Sequence, residues 1–96
     1  MKQYLILGKD GDDEQALDRR MGQRPKHFDG ARHLKAHDNF VIGGAMLDDN
    51  GQMKGSAMIV QFETEDELNA WLADEPYITG KVWHSYEVIP FRVADV

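Results

Sequence analysis

At 96 residues the chain has room for one domain and too little for two independent cores. Its 17 acidic and 11 basic residues give a net charge of −6, which repels a phosphate backbone and excludes nucleic acid as an expected partner. It has no cysteine, so disulfides, thiolate metal sites and a cysteine nucleophile are excluded too.

Hydrophobic residues make up 42% of the chain, an ordinary share for a globular protein. A domain this small buries only roughly 60–65% of its unfolded surface, so a partner subunit would add stability and a homodimer is expected. Taken in chain order, QYLILG from Gln3 to Gly8 reads as a first strand, closed by the turn residues Asp10-Gly11-Asp12-Asp13. Its apolar run, Tyr4 to Leu7, is too short for a signal-peptide core or a membrane span. A cytoplasmic protein with no membrane partner is the expectation.

Residues Glu14 to Gly22 are charged, and Gly22 with Pro25 places the start of the regular first helix near Pro25, since proline favours a first turn. Between Pro25 and His37, Phe28, Ala31 and Leu34 recur every three residues and predict the face that packs on a sheet. Phe40-Val41-Ile42 running into Gly43-Gly44-Ala45-Met46-Leu47 forms a second strand, and Asp48-Asp49-Asn50-Gly51 supplies hairpin chemistry. Gly55 to Phe62 is a third strand. Thr64 and Glu67 have capping-box spacing before a helix striped by Leu68, Trp71 and Leu72, which Glu75-Pro76 should stop. Pro76 to Gly80 adds one turn, and Val82 to Phe91 is a fourth strand rich in aromatic and β-branched residues.

The order β-α-β-β-α-β implies an α+β, ferredoxin-like sandwich with both helices on one sheet face. The other face is left open and apolar, so two sheets could pack face to face. Alternation alone does not say whether Val82, His84, Tyr86 and Val88 or Trp83, Ser85 and Ile89 face the partner.

Several segments in this order resemble the YCII-like family: Arg24-Pro25-Lys26-His27-Phe28, Gly43-Gly44-Ala45, Gly55-Ser56, Glu75-Pro76-Tyr77 and Val88-Ile89-Pro90-Phe91. The resemblance spans almost the whole chain. It implies a dimeric α+β barrel fold and a His and Asp pair in a pocket. Through it His27 is the proposed catalytic histidine, with Arg24 one helical turn earlier; Asp10 is the favoured acidic partner and Glu75 a secondary acid/base candidate, and Arg24, Ser56 and Glu75 are candidate substrate-binding residues. Two positions depart from the family pattern: Glu75 stands where Asp usually precedes Pro-Tyr, and Ala45 replaces a common Pro.

The chemistry of these residue types fits that reading. An imidazole titrates near neutrality, and a carboxylate can orient it for general acid or base work. Asp10 has a competing role in its Asp-Gly turn, and Glu75 a competing role at the end of the second helix. Arg24 can hold an anion through a bidentate contact, and Ser56 can donate a hydrogen bond. His33 and His37 are spaced to share a metal but have no identifiable third ligand, so no metal site is expected. Gly43-Gly44 lacks the spacing of a phosphate loop, and Trp71 and Trp83 fit core roles. The expected function is proton transfer or elimination on a small anionic or aromatic molecule without a cofactor. The alternative is a noncatalytic ligand-binding or accessory dimer.

Overall fold

In the computed structural model, which describes residues 1–96, the elements run β1 (Lys2–Asp10), α1 (Ala16–Ala36), β2 (Phe40–Leu47), β3 (Met53–Phe62), α2 (Glu65–Asp74), α3 (Pro76–Thr79) and β4 (Trp83–Phe91). The four strands form one sheet in the order β2-β3-β1-β4 with every neighbouring pair antiparallel. This is the ferredoxin-like α+β arrangement that the element order implies.

The turns follow from local chemistry. Asp48 Oδ1 accepts hydrogen bonds from the Asn50 and Gln52 amides at 2.9 and 3.0 Å, and Gly51 takes φ 80°, a value glycine adopts at no steric cost. Thr64 Oγ1 accepts from the Glu67 amide at 3.2 Å and starts α2. The break at Glu75-Pro76 separates α2 from α3, where Glu75 caps the short helix by accepting from the Tyr77 amide at 3.1 Å.

The first helix differs from expectation. It starts at Ala16 and runs through both Gly22 and Pro25. Pro25 has no N–H, so the Met21 carbonyl loses its helical partner; Met21 is 47% exposed, so water can take that carbonyl at small cost. What holds the early turns is tertiary. Arg19 grips Asp13 with two hydrogen bonds of 2.8 and 3.2 Å and donates to the Lys81 carbonyl. The buried face of α1 is Arg20, His27 and Leu34, at seven-residue spacing that returns to nearly the same side of a helix. Phe28 lies outside that buried set and is 38% exposed.

Tyr4, Ile6, Met58, Val60 and Phe62 project from the sheet into the core, where they meet Leu34, Leu68, Tyr77 and Val82. Across the sheet, Ile6 lies opposite both Met58 and Val88, which places Tyr86, Val88 and Pro90 of β4 on the helix side. A register shift at Lys9/Asp10 lets Trp83 join that side, 5% exposed, although simple alternation would separate it from Tyr86. On the opposite face Ile42, Ile59, Leu5 and Ile89 pair in register and form an aliphatic row across all four strands.

No helix is long and apolar enough to cross a membrane.

Candidate functional site

A cavity of about 340 Å³ opens between α1 and the strands β2 and β3. Its roof is α1, including Arg24, His27 and Phe28, and its floor includes Gly43, Ala45, Ser56 and Met58. The space exists because β2 presents small residues toward the helix: Gly43 lies opposite Met58 and Ala45 opposite Ser56. A Cβ on Gly43 would come within 3.1 Å of Phe40 and 3.2 Å of Met58, so any side chain there would fill the floor.

His27 is buried in this wall with its Nδ1 donating to Glu75 Oε1 at 2.5 Å. The same Glu75 oxygen accepts from the Tyr77 amide, so the carboxylate is fixed by the start of α3 before it meets the imidazole. The Tyr77 ring stacks on the imidazole with centroids 3.8 Å apart and planes 10° from parallel. Position and tilt of the ring are thereby set from two sides, and Nε2 remains as the nitrogen free to meet a ligand.

Asp10 is not the carboxylate that meets His27. It pairs instead with Arg20, whose Nη1 donates to both Asp10 oxygens at 3.1 and 3.2 Å, and both side chains are almost wholly buried. The physical reason is helical rise: Arg20 and His27 lie seven residues apart, about 10 Å along the axis, so one carboxylate cannot serve both. Burial pushes the Asp10 carboxyl above its ordinary pKa, outweighing the downward pull of Arg20.

Arg20 was not predicted from sequence, and it organises the cavity floor. Its Nη2 donates to Ser56 Oγ at 2.9 Å, and the Trp83 indole N–H donates to the same oxygen at 3.3 Å. With both acceptor positions of Ser56 used, its hydroxyl proton is what it can still offer a ligand. The guanidinium also lies 4.8 Å from the Tyr77 ring centroid, so Arg20, Tyr77 and His27 form one packed group.

Of the five residues singled out from sequence, Arg24, His27 and Ser56 line the cavity, Glu75 stands behind His27, and Asp10 stands behind Arg20. Arg24 lies over the Phe28 ring at 4.3 Å. The His33 and His37 rings are 4.3 Å apart on α1, and His37 Nδ1 donates to the His33 carbonyl. No group of three His, Asp or Glu side chains converges around them or elsewhere.

Comparison with known proteins agrees with this architecture. Residues 2–92 match the YCII-related domain. The chain is 28% identical over 95 residues to Protein YciI of Escherichia coli O6:H1, covering 93% of this chain and 95% of that one. An uncharacterized protein of Haemophilus influenzae is also 28% identical, with the same coverage. Among solved structures, 5-chloro-2-hydroxyhydroquinone dehydrochlorinase of Burkholderia phenoliruptrix, in complex with 2,5-dihydroxybenzoquinone, superposes with a TM-score of 0.80 at 24% identity over 96% of this chain and 95% of that one. A dimeric ferredoxin-like protein of unknown function from Jannaschia sp. CCS1 gives 0.57 at 14% identity, covering 97% of this chain and 100% of that one.

Proposed function

The chain belongs to the YCII-related domain family, and from that premise we propose that it is an enzyme that moves a proton on a small molecule, with His27 as general base and acid. The observation that carries this reading is the 2.5 Å contact between His27 Nδ1 and Glu75 Oε1 behind a ring that lines the cavity. Glu75 fixes the tautomer by accepting from Nδ1–H and offsets the charge that His27 gains when Nε2 takes a proton.

On a halogenated, ring-hydroxylated substrate, Nε2 takes a proton from a ring hydroxyl and delivers it to the ring carbon that bears the halogen, giving a keto form. Nε2 then takes a second hydroxyl proton; that O–H electron pair becomes a C=O bond, the ring double bond shifts, halide leaves with its bonding pair, and the proton passes to water. Ser56 can hold a ligand oxygen during these steps, and Arg20 and Asp10 act as positioning residues that fix Ser56. The likeness of fold to a dehydrochlorinase supports elimination as the reaction class.

The working unit in this reading is a homodimer joined through the open sheet face. The row Ile42, Ile59, Leu5 and Ile89 is the apolar surface such a contact would cover. The dimeric Jannaschia protein has a related fold.

The test is turnover of 5-chloro-2-hydroxyhydroquinone and other halogenated, ring-hydroxylated compounds without added cofactor, read as halide release. Wild type should release halide, and His27→Ala should be slower by about 100-fold or more. If the panel binds but none of its members reacts, the noncatalytic ligand-binding dimer becomes the better account.

A further inference from the structure

Although the chain carries a net charge of −6, the cavity wall holds Arg20, Arg24, Arg32 and Lys35 together with His27 and contains no Asp or Glu. Two of these cations are already neutralised, Arg20 by Asp10 and Arg32 by Asp29, each at 3.1 Å. Arg24 and Lys35 take part in none of the ion pairs of the fold, which join Arg19 to Asp13, Arg20 to Asp10, His27 to Glu75 and Arg32 to Asp29. Arg24 is half-buried, and its guanidinium lies against the Phe28 ring. The ring contact takes up no hydrogen-bond acceptor, and none of the ion pairs of the fold engages the Arg24 N–H groups.

A half-buried guanidinium without a counterion, at the wall of a cleft lined by apolar side chains and further cations, has the charge and the donors to bind an anion. We propose that Arg24, assisted by Lys35, binds the negative group of a single-ring aromatic anion, a carboxylate or an ionised phenol, whose ring packs against Phe28, Phe40 and Met58. The volume of about 340 Å³ accommodates one substituted ring and sits at the small end of ligand pockets, roughly 300–1,000 Å³. Arg24 precedes His27 by three residues, one helical turn, so an anion held there sets its ring beside the imidazole. The inference deepens the proton-transfer reading and rests on it for the role of the bound ring; the binding itself can be tested separately.

The experiment is titration calorimetry of the 96-residue chain at low ionic strength with two matched pairs, benzoate against benzamide and 4-nitrophenolate against nitrobenzene. At least one anion should bind about tenfold or more tightly than its neutral counterpart, with the preference weakened by added salt. Which pair shows the preference identifies the anionic group. Arg24→Gln should abolish most of the preference. Lys35→Gln, at an exposed position that does not threaten folding, should reduce it. Neutral rings binding as well as anions, or a preference unchanged in both variants, would overturn the proposal. His27→Gln should keep the anion preference. A preserved preference with no His27-dependent turnover would sink the proton-transfer reading while sustaining the anion site.

Discussion

His27 and Glu75 are separated by 48 positions in sequence and joined by one hydrogen bond of 2.5 Å, and the oxygen that makes it also caps α3. This double use separates stability from chemistry. Glu75→Gln keeps an acceptor oxygen for both N–H groups, so its unfolding free energy should stay within about 1 kcal/mol of wild type by urea denaturation. It cannot offset an imidazolium charge, so turnover should fall by about 100-fold. Glu75→Ala loses cap and partner together and should cost about 2–4 kcal/mol. Full turnover in Glu75→Gln would remove the carboxylate from the mechanism.

The contrast between what was legible and what was not follows the same division between local and distant chemistry. The hairpin at Asp48–Gly51, the Thr64 cap and the Glu75-Pro76 break are decided by side chains bonding to backbone a few residues away, and these were readable directly. The extent of α1 was not, because its buried face carries Arg20 and His27, polar groups whose burial depends on Asp10 and Glu75 from other elements. Periodicity of apolar residues selected Phe28, Ala31 and Leu34 instead, of which only Leu34 is buried; Phe28 and Ala31 line the cavity. Arg20 left no signal of its own beyond its seven-residue spacing from His27, and the choice between Asp10 and Glu75 required the fold.

The buried Asp10–Arg20 pair should behave asymmetrically under mutation. Arg20→Leu strands a buried carboxyl and frees Ser56 from its donor, so it should cost about 3–5 kcal/mol. Replacing Asp10 and Arg20 together with apolar residues removes the stranded group and should recover most of that loss. Urea midpoints of the single and double variants decide it; equal destabilisation in both would mean that the ion pair itself carries the stability.

Tyr77 combines a fully buried ring with a hydroxyl that has no hydrogen-bond partner. Burial raises its pKa above the ordinary 10.0. An acid with a raised folded pKa keeps its proton where the unfolded chain releases it, so its contribution to stability falls as pH rises through 10 toward the folded value. Tyr77→Phe should therefore match wild type or exceed it by up to about 1 kcal/mol at neutral pH. It should also show a smaller loss of stability between about pH 9 and 11 in urea unfolding curves. An unchanged alkaline slope would assign the loss to other groups.

Gly8 lies under the Trp83 indole, where an added Cβ would fall 2.3 Å from the ring. Gly8→Ala must displace that ring and with it the indole hydrogen bond to Ser56, at a cost of about 1–3 kcal/mol. The expected signature is a shifted tryptophan emission together with a lower urea midpoint. An unchanged emission spectrum would show that the strand, and not the indole, absorbs the strain.

The row Ile42, Ile59, Leu5 and Ile89 makes the dimer proposal testable at a position that does not support the monomer core. Ile42 is 62% exposed in the single chain, so a charge there leaves the isolated fold intact, whereas burial in a sheet-to-sheet interface would strand an unpaired carboxylate. Two-fold symmetry places the change on both subunits, doubling its effect. Ile42→Asp should accordingly shift the protein from dimer to monomer in sedimentation equilibrium while its far-ultraviolet circular dichroism stays unchanged. A dimer as tight as wild type would move the interface off this face, and a monomeric wild type would end the dimer proposal.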